Sequence, residues 1–296
     1  MSRTVLVTGA SSGIGRSTVE LFASKGWNVA ATARSPEDLG GRAIPGRVEA
    51  FRLDVTDPAS IRSAVDAAIA RFGGVDVLVN NAGFALVGAF EALPADGVRR
   101  QFETNVFGLM ETTRALLPHF RGRRSGVIVN VSSMGGRLAF PFLSPYHASK
   151  WAVEGFSESL YFELEPFGIR VKLIEPGVIK TDFYGRSMVR PVDEAPTPYD
   201  AMSRGVLTRM DRGARKGASP DDVARVIYRA ATDGRRKLRY TSHAAAPLAL
   251  RRLLPEWLFL AMIRAVLVGR HRADGPDRGT PAGPGRSASE VAPQAR

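Results

Sequence analysis

The stretch "TVLVTGASSGIGRS", Thr4 to Ser17, decides how the rest of the chain is read. It opens as a short run rich in β-branched residues, turns through glycines and passes into the helical pattern of Ser17 to Lys25, which Gly26 ends. "NVAATAR", Asn28 to Arg34, then reads as a second strand. Strand, glycine turn, helix and strand make a βαβ unit, whose strands run parallel. In "TGASSGIG", Thr8 to Gly15, the glycines Gly9, Gly13 and Gly15 let backbone N–H groups approach a ligand at the positive end of a helix, where a pyrophosphate can sit. Ser11, Ser12 and Ile14 complete that cofactor loop. Its spacing, G-x-x-x-G-x-G, departs from the more familiar G-x-G-x-x-G. At the end of the second strand Ala33 stands where an acid would take a ribose 2′-hydroxyl, and Arg34 follows it. An arginine there accommodates a 2′-phosphate, so the pattern points to NADP(H), with a solvated surface arginine as the other reading.

The alternation continues through "VEAFRLDV", a helix after "DPAS", "VDVLVNNAG", a long helix from about Asp96 to Phe120, "GVIVNVSS", a helix carrying Tyr146 and Lys150, "IRVKLIEPG", a helix from Asp221 to Thr232 and "KLRYT". This predicts an α/β protein: a single Rossmann-type, doubly wound parallel sheet of about seven strands with helices on both faces. Apolar strands such as "VDVLV" and "VIVNV" suit a sheet covered on both sides. The catalytic domain is expected over residues 1–245, with a lid at about 182–220 where the pattern weakens into Gly, Pro, Arg and Met. A helical extension is expected at 246–270, and a tail at 271–296 too poor in apolar residues to fold alone.

The 296 residues are 44% apolar and 24% charged, enough for one large core. There is no cysteine, and His119, His147, His243 and His271 form no ligand-like cluster, so no metal site is expected and redox chemistry must come from a bound cofactor. His119 and His147 read as surface residues. No basic-then-apolar leader follows Met1, which predicts a cytoplasmic protein. The net charge of +12 is uneven: residues 1–200 hold 22 basic and 21 acidic groups, residues 201–296 hold 19 and 8.

"YHASK", Tyr146 to Lys150, carries the chemistry. Residues four apart on a helix share a face, so the phenol and the ammonium address one small volume. A free phenol, with a pKa near 10, is a poor acid or base at neutral pH, and a fixed cation favours its phenolate. Lowering it by roughly 3 units needs about 4 kcal/mol.

"TGASSGIG", "NNAG" at 80–83, a strand ending in Ser132-Ser133, "YHASK" and "PG" at 176–177, in that order, resemble the short-chain dehydrogenase/reductase family over roughly residues 3–240. The segment between Ser133 and Tyr146 resembles the branch that includes 17β-hydroxysteroid dehydrogenases. The resemblance implies that Ser133, rather than Ser132, hydrogen-bonds the substrate carbonyl and that Tyr146 is the acid in reduction and the base in oxidation. Lys150 would bind the nicotinamide ribose and lower the phenol pKa, and Asn105 would hold a water that relays protons to Lys150. It also implies that Asp54 hydrogen-bonds near the adenine, that Asn81 and Gly83 line the adenosine side, and that Pro176, Gly177, Val178 and Thr181 embrace the nicotinamide carboxamide. A homodimer or homotetramer is the family expectation.

The substrate wall is read from Phe84, Leu86 and Val87, from Met134, Leu138, Phe140, Phe142 and Leu143, and from Phe183, Tyr184 and Met188 in the lid. Such a surface suits a lipophilic alcohol or ketone of steroid, retinoid or long acyl type, although the same residues can be core packing. A non-catalytic NADP(H)-binding sensor is the alternative function, but it has no need of Ser133, Tyr146, Lys150 and Asn105 together. A sequence pI of 10.6 suggests nucleic acid, yet the excess charge is C-terminal and lacks interleaved stacking aromatics, so no nucleic-acid role is expected. In "LALRRLLPEWLFLAMIRAVLVGR", Leu248 to Arg270, the longest apolar run, Trp257 to Ile263, is far short of the roughly 20 residues that span a bilayer. Arg251, Arg252, Arg264 and Arg270 leave two readings: a flap over the pocket or a neighbouring subunit, which we favour, or a basic helix on an anionic membrane surface.

Overall fold

The computed structural model describes residues 2–39, 47–180, 188–189 (backbone only), 198–215 and 217–269. Its strands are β1 (Thr4–Val7), β2 (Asn28–Ala33), β3 (Val48–Arg52), β4 (Val77–Asn80), β5 (Ala85–Leu86), β6 (Gly126–Val131), β7 (Ile169–Pro176), β8 (Met188–Val189) and β9 (Arg239–Ser242). Seven form one sheet in the order β3-β2-β1-β4-β6-β7-β9. Every pairing in it is parallel, and β5 with β8 makes a separate two-residue ladder.

The helices are α1 (Gly13–Ser24), α2 (Pro58–Phe72), α3 (Ala95–Phe102), α4 (Gly108–Arg123), α5 (Ser144–Leu164), α6 (Asp200–Arg215), α7 (Pro220–Thr232), α8 (Ala245–Leu253) and α9 (Glu256–Ile263). Alternate residues of β1 face opposite sides of the sheet, and each side has its own core. Val5 and Val7 meet Phe22 of α1 and Val223 and Ile227 of α7, whereas Leu6 meets Ile61 of α2, Leu116 and Phe120 of α4, and Leu160 of α5. That double cover is why β1, β4 and β6 are buried at every position.

The chain leaves β1 toward β2 and β3 on one side and returns to β4 on the other, so the loops after β1 and β4 diverge above a crevice at the strands' C-terminal ends. The two loops touch: Gly9 has φ +65°, and a Cβ on it would stand 2.9 Å from Ala82 Cα.

Asn130 is the polar residue inside the apolar run "VIVNV", and its burial is complete. Asn80 donates to its Oδ1 at 2.9 Å and to Thr113 Oγ1 at 3.0 Å, while Asn130 Nδ2 donates to Ser157 Oγ at 2.8 Å. One network thus ties β4 and β6 to α4 and α5, the helix that carries Tyr146.

Three expectations change in detail. The helix expected from about Asp96 to Phe120 is α3, a π turn at Glu103–Phe107, and α4, because the extra residue of the π turn shifts the register without breaking the chain of hydrogen bonds. In the expected lid, α6 forms where no apolar period was visible, since it buries little beyond Val206 and Ala214. Residues 181–187 and 190–197 lie outside the described residues. The expected extension is two helices plus a π turn at Arg264–Val268; Pro255 separates the helices and caps α9. Arg270 and the tail at 271–296 also lie outside the described residues.

Replacing Asn130 with alanine removes bonds to both neighbours and leaves a buried amide hydrogen of Asn80 without its partner. We expect Asn130→Ala to lower stability by about 2–4 kcal/mol, read from urea unfolding.

Candidate active site

The glycine loop sits at the crevice and its helix is uncapped. Ser12 occupies the N-cap of α1 in extended backbone, and its side chain makes no capping bond, so the first N–H groups of α1 are available to an anion. Gly9, Ser11, Ser12, Gly13 and Ile14 line the cavity, whereas Gly15 lies behind them: a Cβ there would be 2.2 Å from Gly9 O. Asn81 braces the loop, its amide donating to Thr8 O at 3.0 Å and Gly9 O at 3.1 Å. Arg34 is exposed on the rim directly after the buried Ala33. Asp54 is also on the rim, where its Oδ1 accepts from the N–H and hydroxyl of Thr56 at 2.9 and 2.7 Å.

The cavity, about 800 Å³, continues from this rim to Gly83, Ser133, Tyr146, Lys150, Pro176, Gly177 and Val178. Lys150 is buried and donates from Nζ to Val131 O at 2.9 Å, and Nζ lies 5.9 Å from the centroid of the Tyr146 ring. Burial draws its pKa down to about 8, against an opposing pull from Glu154, so the ammonium still predominates at neutral pH. Ser133 caps a short 3₁₀ turn by accepting from Gly135 N at 3.0 Å, which leaves its hydroxyl hydrogen to donate. Ser132 also lines the cavity but is 3% exposed.

Asn105 stands in the π turn, behind the wall. Its Oδ1 accepts from Phe84 N at 3.0 Å, and its Nδ2 donates to Phe84 O at 2.8 Å and Ser149 Oγ at 3.1 Å. The side chain therefore holds the Phe84 segment against α5. Thr181 lies outside the described residues, as do Phe183 and Tyr184; for Met188 only the backbone is described.

Of the expected substrate wall, Phe84, Met134, Phe140 and Leu143 line the cavity. Leu86, Val87 and Leu138 do not: each is about 1% exposed and serves as core packing, because β5 and the loop after Ser133 turn them inward. The cavity also takes Arg209 and Met210 from α6 and Val266 and Leu267 from the π turn after α9. The sequence did not single out these four residues, although they lie in the segments read there as the lid, about 182–220, and the flap, Leu248 to Arg270. A second omission is the buried ion cluster behind Lys150. Arg239 Nε lies 3.1 Å from Glu154 and 3.4 Å from Glu175, and burial raises Glu154 above the usual carboxylate range.

His147 corrects the reading of a surface residue. It is 5% exposed, with Nδ1 2.8 Å from Gly135 O and Nε2 accepting from Phe140 N at 2.9 Å. These partners fix a neutral ring with its proton on Nδ1. The imidazole thereby clamps the segment that carries Ser133 and the cavity residues Met134 and Phe140, which folds back over α5. Gly135 permits the approach, because a Cβ there would stand 2.7 Å from Nδ1.

A doubly wound sheet with an uncapped, glycine-rich first turn defines a dinucleotide-binding α/β protein. The family model for short chain dehydrogenases matches residues 3–188. An uncharacterized oxidoreductase of Bacillus subtilis, YusZ, is 40% identical over 247 residues, 79% of this chain and 87% of that protein. The 3-ketodihydrosphingosine reductase of Bacteroides thetaiotaomicron is 36% identical, covering 75% and 81%. Retinol dehydrogenase 8 of Bos taurus is 37% identical, covering 80% of each. Among solved structures, a short-chain dehydrogenase from Streptomyces avermitilis superposes with a TM-score of 0.76 at 40% identity, covering 88% of this chain and 98% of the other. One from Burkholderia phymatum, in complex with NAD, gives 0.74 at 30% identity, covering 85% and 93%. ElxO with NADP bound gives 0.68 at 26%, covering 83% and 100%. The chain belongs to the short-chain dehydrogenase/reductase family and is an oxidoreductase of it.

Burial holds His147 below its ordinary pKa near 6.5, so the unfolded chain takes up a proton that the folded ring refuses. The stability this supplies is complete above about 6.5 and is lost as pH falls from there toward the lowered folded value. A glutamine keeps an acceptor toward Phe140 but cannot titrate. We expect His147→Gln to melt about 2–4 °C lower at pH 7.5 and to show a shallower fall of Tm between pH 6.5 and 5, the remaining slope including His119, whose pKa burial also lowers. An unchanged slope in thermal melts across that range refutes the clamp.

Proposed function

We propose that the protein is an NADP(H)-dependent oxidoreductase that interconverts a secondary alcohol and its ketone, or an alcohol and an aldehyde, on a lipophilic substrate. One observation carries this reading: a single cavity joins the uncapped start of α1 and Arg34 at one end to Ser133, Tyr146 and Lys150 at the other, beside a wall that includes Phe140, Leu143, Met210, Val266 and Leu267. Ser133, Tyr146 and Lys150 stand together at the end where a reacting carbonyl would lie. The wall of Phe140, Leu143, Met210, Val266 and Leu267 suits an apolar body, as does the similarity to a 3-ketodihydrosphingosine reductase and to a retinol dehydrogenase.

The residues present fit a dinucleotide. The first N–H groups of α1 would hold the pyrophosphate, Pro176 to Val178 would lie against the nicotinamide, and Lys150, with two N–H bonds beyond the one to Val131, would reach the ribose. When bound, the cofactor supplies or takes up a hydride. In reduction the Ser133 hydroxyl donates to the carbonyl oxygen and holds it, and the Tyr146 hydroxyl gives up its proton to the same oxygen as the alcohol forms. The Lys150 ammonium stabilises the phenolate left behind. Oxidation runs the same transfers backward, with the Tyr146 phenolate taking the alcohol proton. Because the Asn105 amide is committed to Phe84 and Ser149, we assign its side chain to holding the site's shape.

NADP(H) rather than NAD(H) is favoured by Arg34 and by Ala33 at the strand end. Asp38, on the same rim, is the competing group, since its carboxylate suits a free 2′-hydroxyl. The flap reading of the C-terminal segment draws support from Phe259, which packs with Met134, Leu138 and Ala244 beside the cavity.

Tyr146→Phe removes one hydroxyl, so reduction of a panel of lipophilic ketones and aldehydes should fall at least about a thousandfold while NADPH still binds. A variant within a few-fold of the parent refutes the assignment. NADPH should bind at least about tenfold more tightly than NADH, roughly 1.4 kcal/mol, and Arg34→Ala should erase the difference. Equal binding of the two by the parent in fluorescence titration refutes the cofactor reading.

A further inference from the structure

We propose that the outer face of α8, α9 and the π turn after them is a docking surface for an anionic phospholipid bilayer, holding the mouth of the cavity at the lipid interface. Helix α9, "EWLFLAMI", is apolar on nearly every side, but its fold satisfies only one of them. Phe259 is 2% exposed, and with Met262 and Ile263 it packs toward Met134 and Leu138. On the opposite side Trp257 is 71% and Leu260 54% exposed, and Leu253 at the end of α8 is 78% exposed. Trp257, Leu260 and Arg264 follow helical spacing and form one outward stripe. Clustered apolar exposure of this kind marks an interaction site.

The charge around the stripe selects the occupant. Arg252 and Arg264 are exposed, and neither has a carboxylate partner among the described residues. Arg209 of α6, also exposed, donates to Leu267 O at 3.0 Å and adds a third cation beside the π turn. The acidic residue of this surface, Glu256, is paired with Arg251 at 3.3 Å. A second copy of the same face would set arginine against arginine, which like-charge repulsion opposes. Residues 271–296 have no aromatic residue and no Leu, Ile or Met, so they lack the apolar side chains to cover it.

An anionic bilayer meets both requirements. Trp257 suits the headgroup boundary, Leu253 and Leu260 suit the acyl margin, and the arginines reach the phosphates with their stems along the apolar surface. Among the described residues no helix is long and apolar enough to cross a membrane, so the contact is peripheral. Val266 and Leu267 of the same π turn line the cavity, which lets a water-insoluble alcohol or ketone pass between lipid and site. This delivery role rests on the lipophilic-substrate reading; the docking does not.

The test is co-sedimentation of the full chain with vesicles of about three parts phosphatidylcholine to one of phosphatidylserine at about 0.1 M salt, beside pure phosphatidylcholine vesicles. Expected is binding to the anionic vesicles at least about tenfold stronger than to the neutral ones. Trp257→Ser/Leu260→Ser should abolish it, and Arg252→Glu/Arg264→Glu should weaken it at least about tenfold, both variants melting within a few degrees of the parent. Absence of binding to anionic vesicles overturns the proposal, as does unchanged binding by either folded variant. Sedimentation velocity showing a dimer that Trp257→Ser/Leu260→Ser dissociates, without vesicle binding, assigns the face to a second copy instead. Vesicle binding is read without turnover, so a failure of the lipophilic-substrate reading leaves this result standing on its own.

Discussion

The structure is organised around keeping an ammonium group where water is scarce. Lys150 sits inside the molecule at the end of strand β6, next to the central β4, and its Nζ reaches the carbonyl of Val131, the last residue of β6. A buried cation is costly to maintain unless hydrogen bonds and nearby negative charge offset the lost hydration. Here the Val131 carbonyl supplies the bond, and Glu154, one turn further along α5, supplies the charge. Glu154 would itself be an uncompensated buried anion without Arg239, which brings β9 into the arrangement and reaches Glu175 on β7. The chemistry at the cavity and the pairing of the last sheet strands therefore share one chain of interactions.

The same economy appears in the polar residues within the core. Asn80 and Asn130 interrupt otherwise aliphatic strands, and each hydrogen bond they make runs to an element that positions the site. His147 does the corresponding task at the other end of α5, joining the helix to the segment after Ser133 at both Gly135 and Phe140. Tyr146 lies one residue before the His147 anchor. The helix that carries it is fixed to the sheet on one side and to the loop after Ser133 on the other.

The parallel sheet was legible because its pattern repeats: apolar strand, turn, helix, in an order with few alternative topologies. The glycine loop, Ser133, Tyr146 and Lys150 could be singled out because each stands at a strand end or helix start with a characteristic neighbour, and the fold brings them to one cavity. What escaped depends on where the chain returns in space. The sequence marks His147 only as a polar residue beside an important tyrosine, and nothing local says that Gly135 will fold against it. Leu86, Val87 and Leu138 have the composition of a substrate wall, but β5 and the tight turn after Ser133 send them into the core. Helix α6 is mostly polar and buries few side chains, yet Arg209 and Met210 reach the cavity from it.

The π turn at Glu103–Phe107 sets the phase between two halves of a long helical rod. One residue corresponds to about 100° of rotation in a regular helix, so the turn acts as an angular spacer between α3 and α4. Removing that residue would leave α4 seated on the sheet and swing α3 around its own axis. Gln101 would then turn away from Leu86, whose backbone N–H it accepts at 2.8 Å, and β5, which follows the cavity residue Phe84, would lose that anchor. Phase, more than length or composition, is what that stretch of chain contributes.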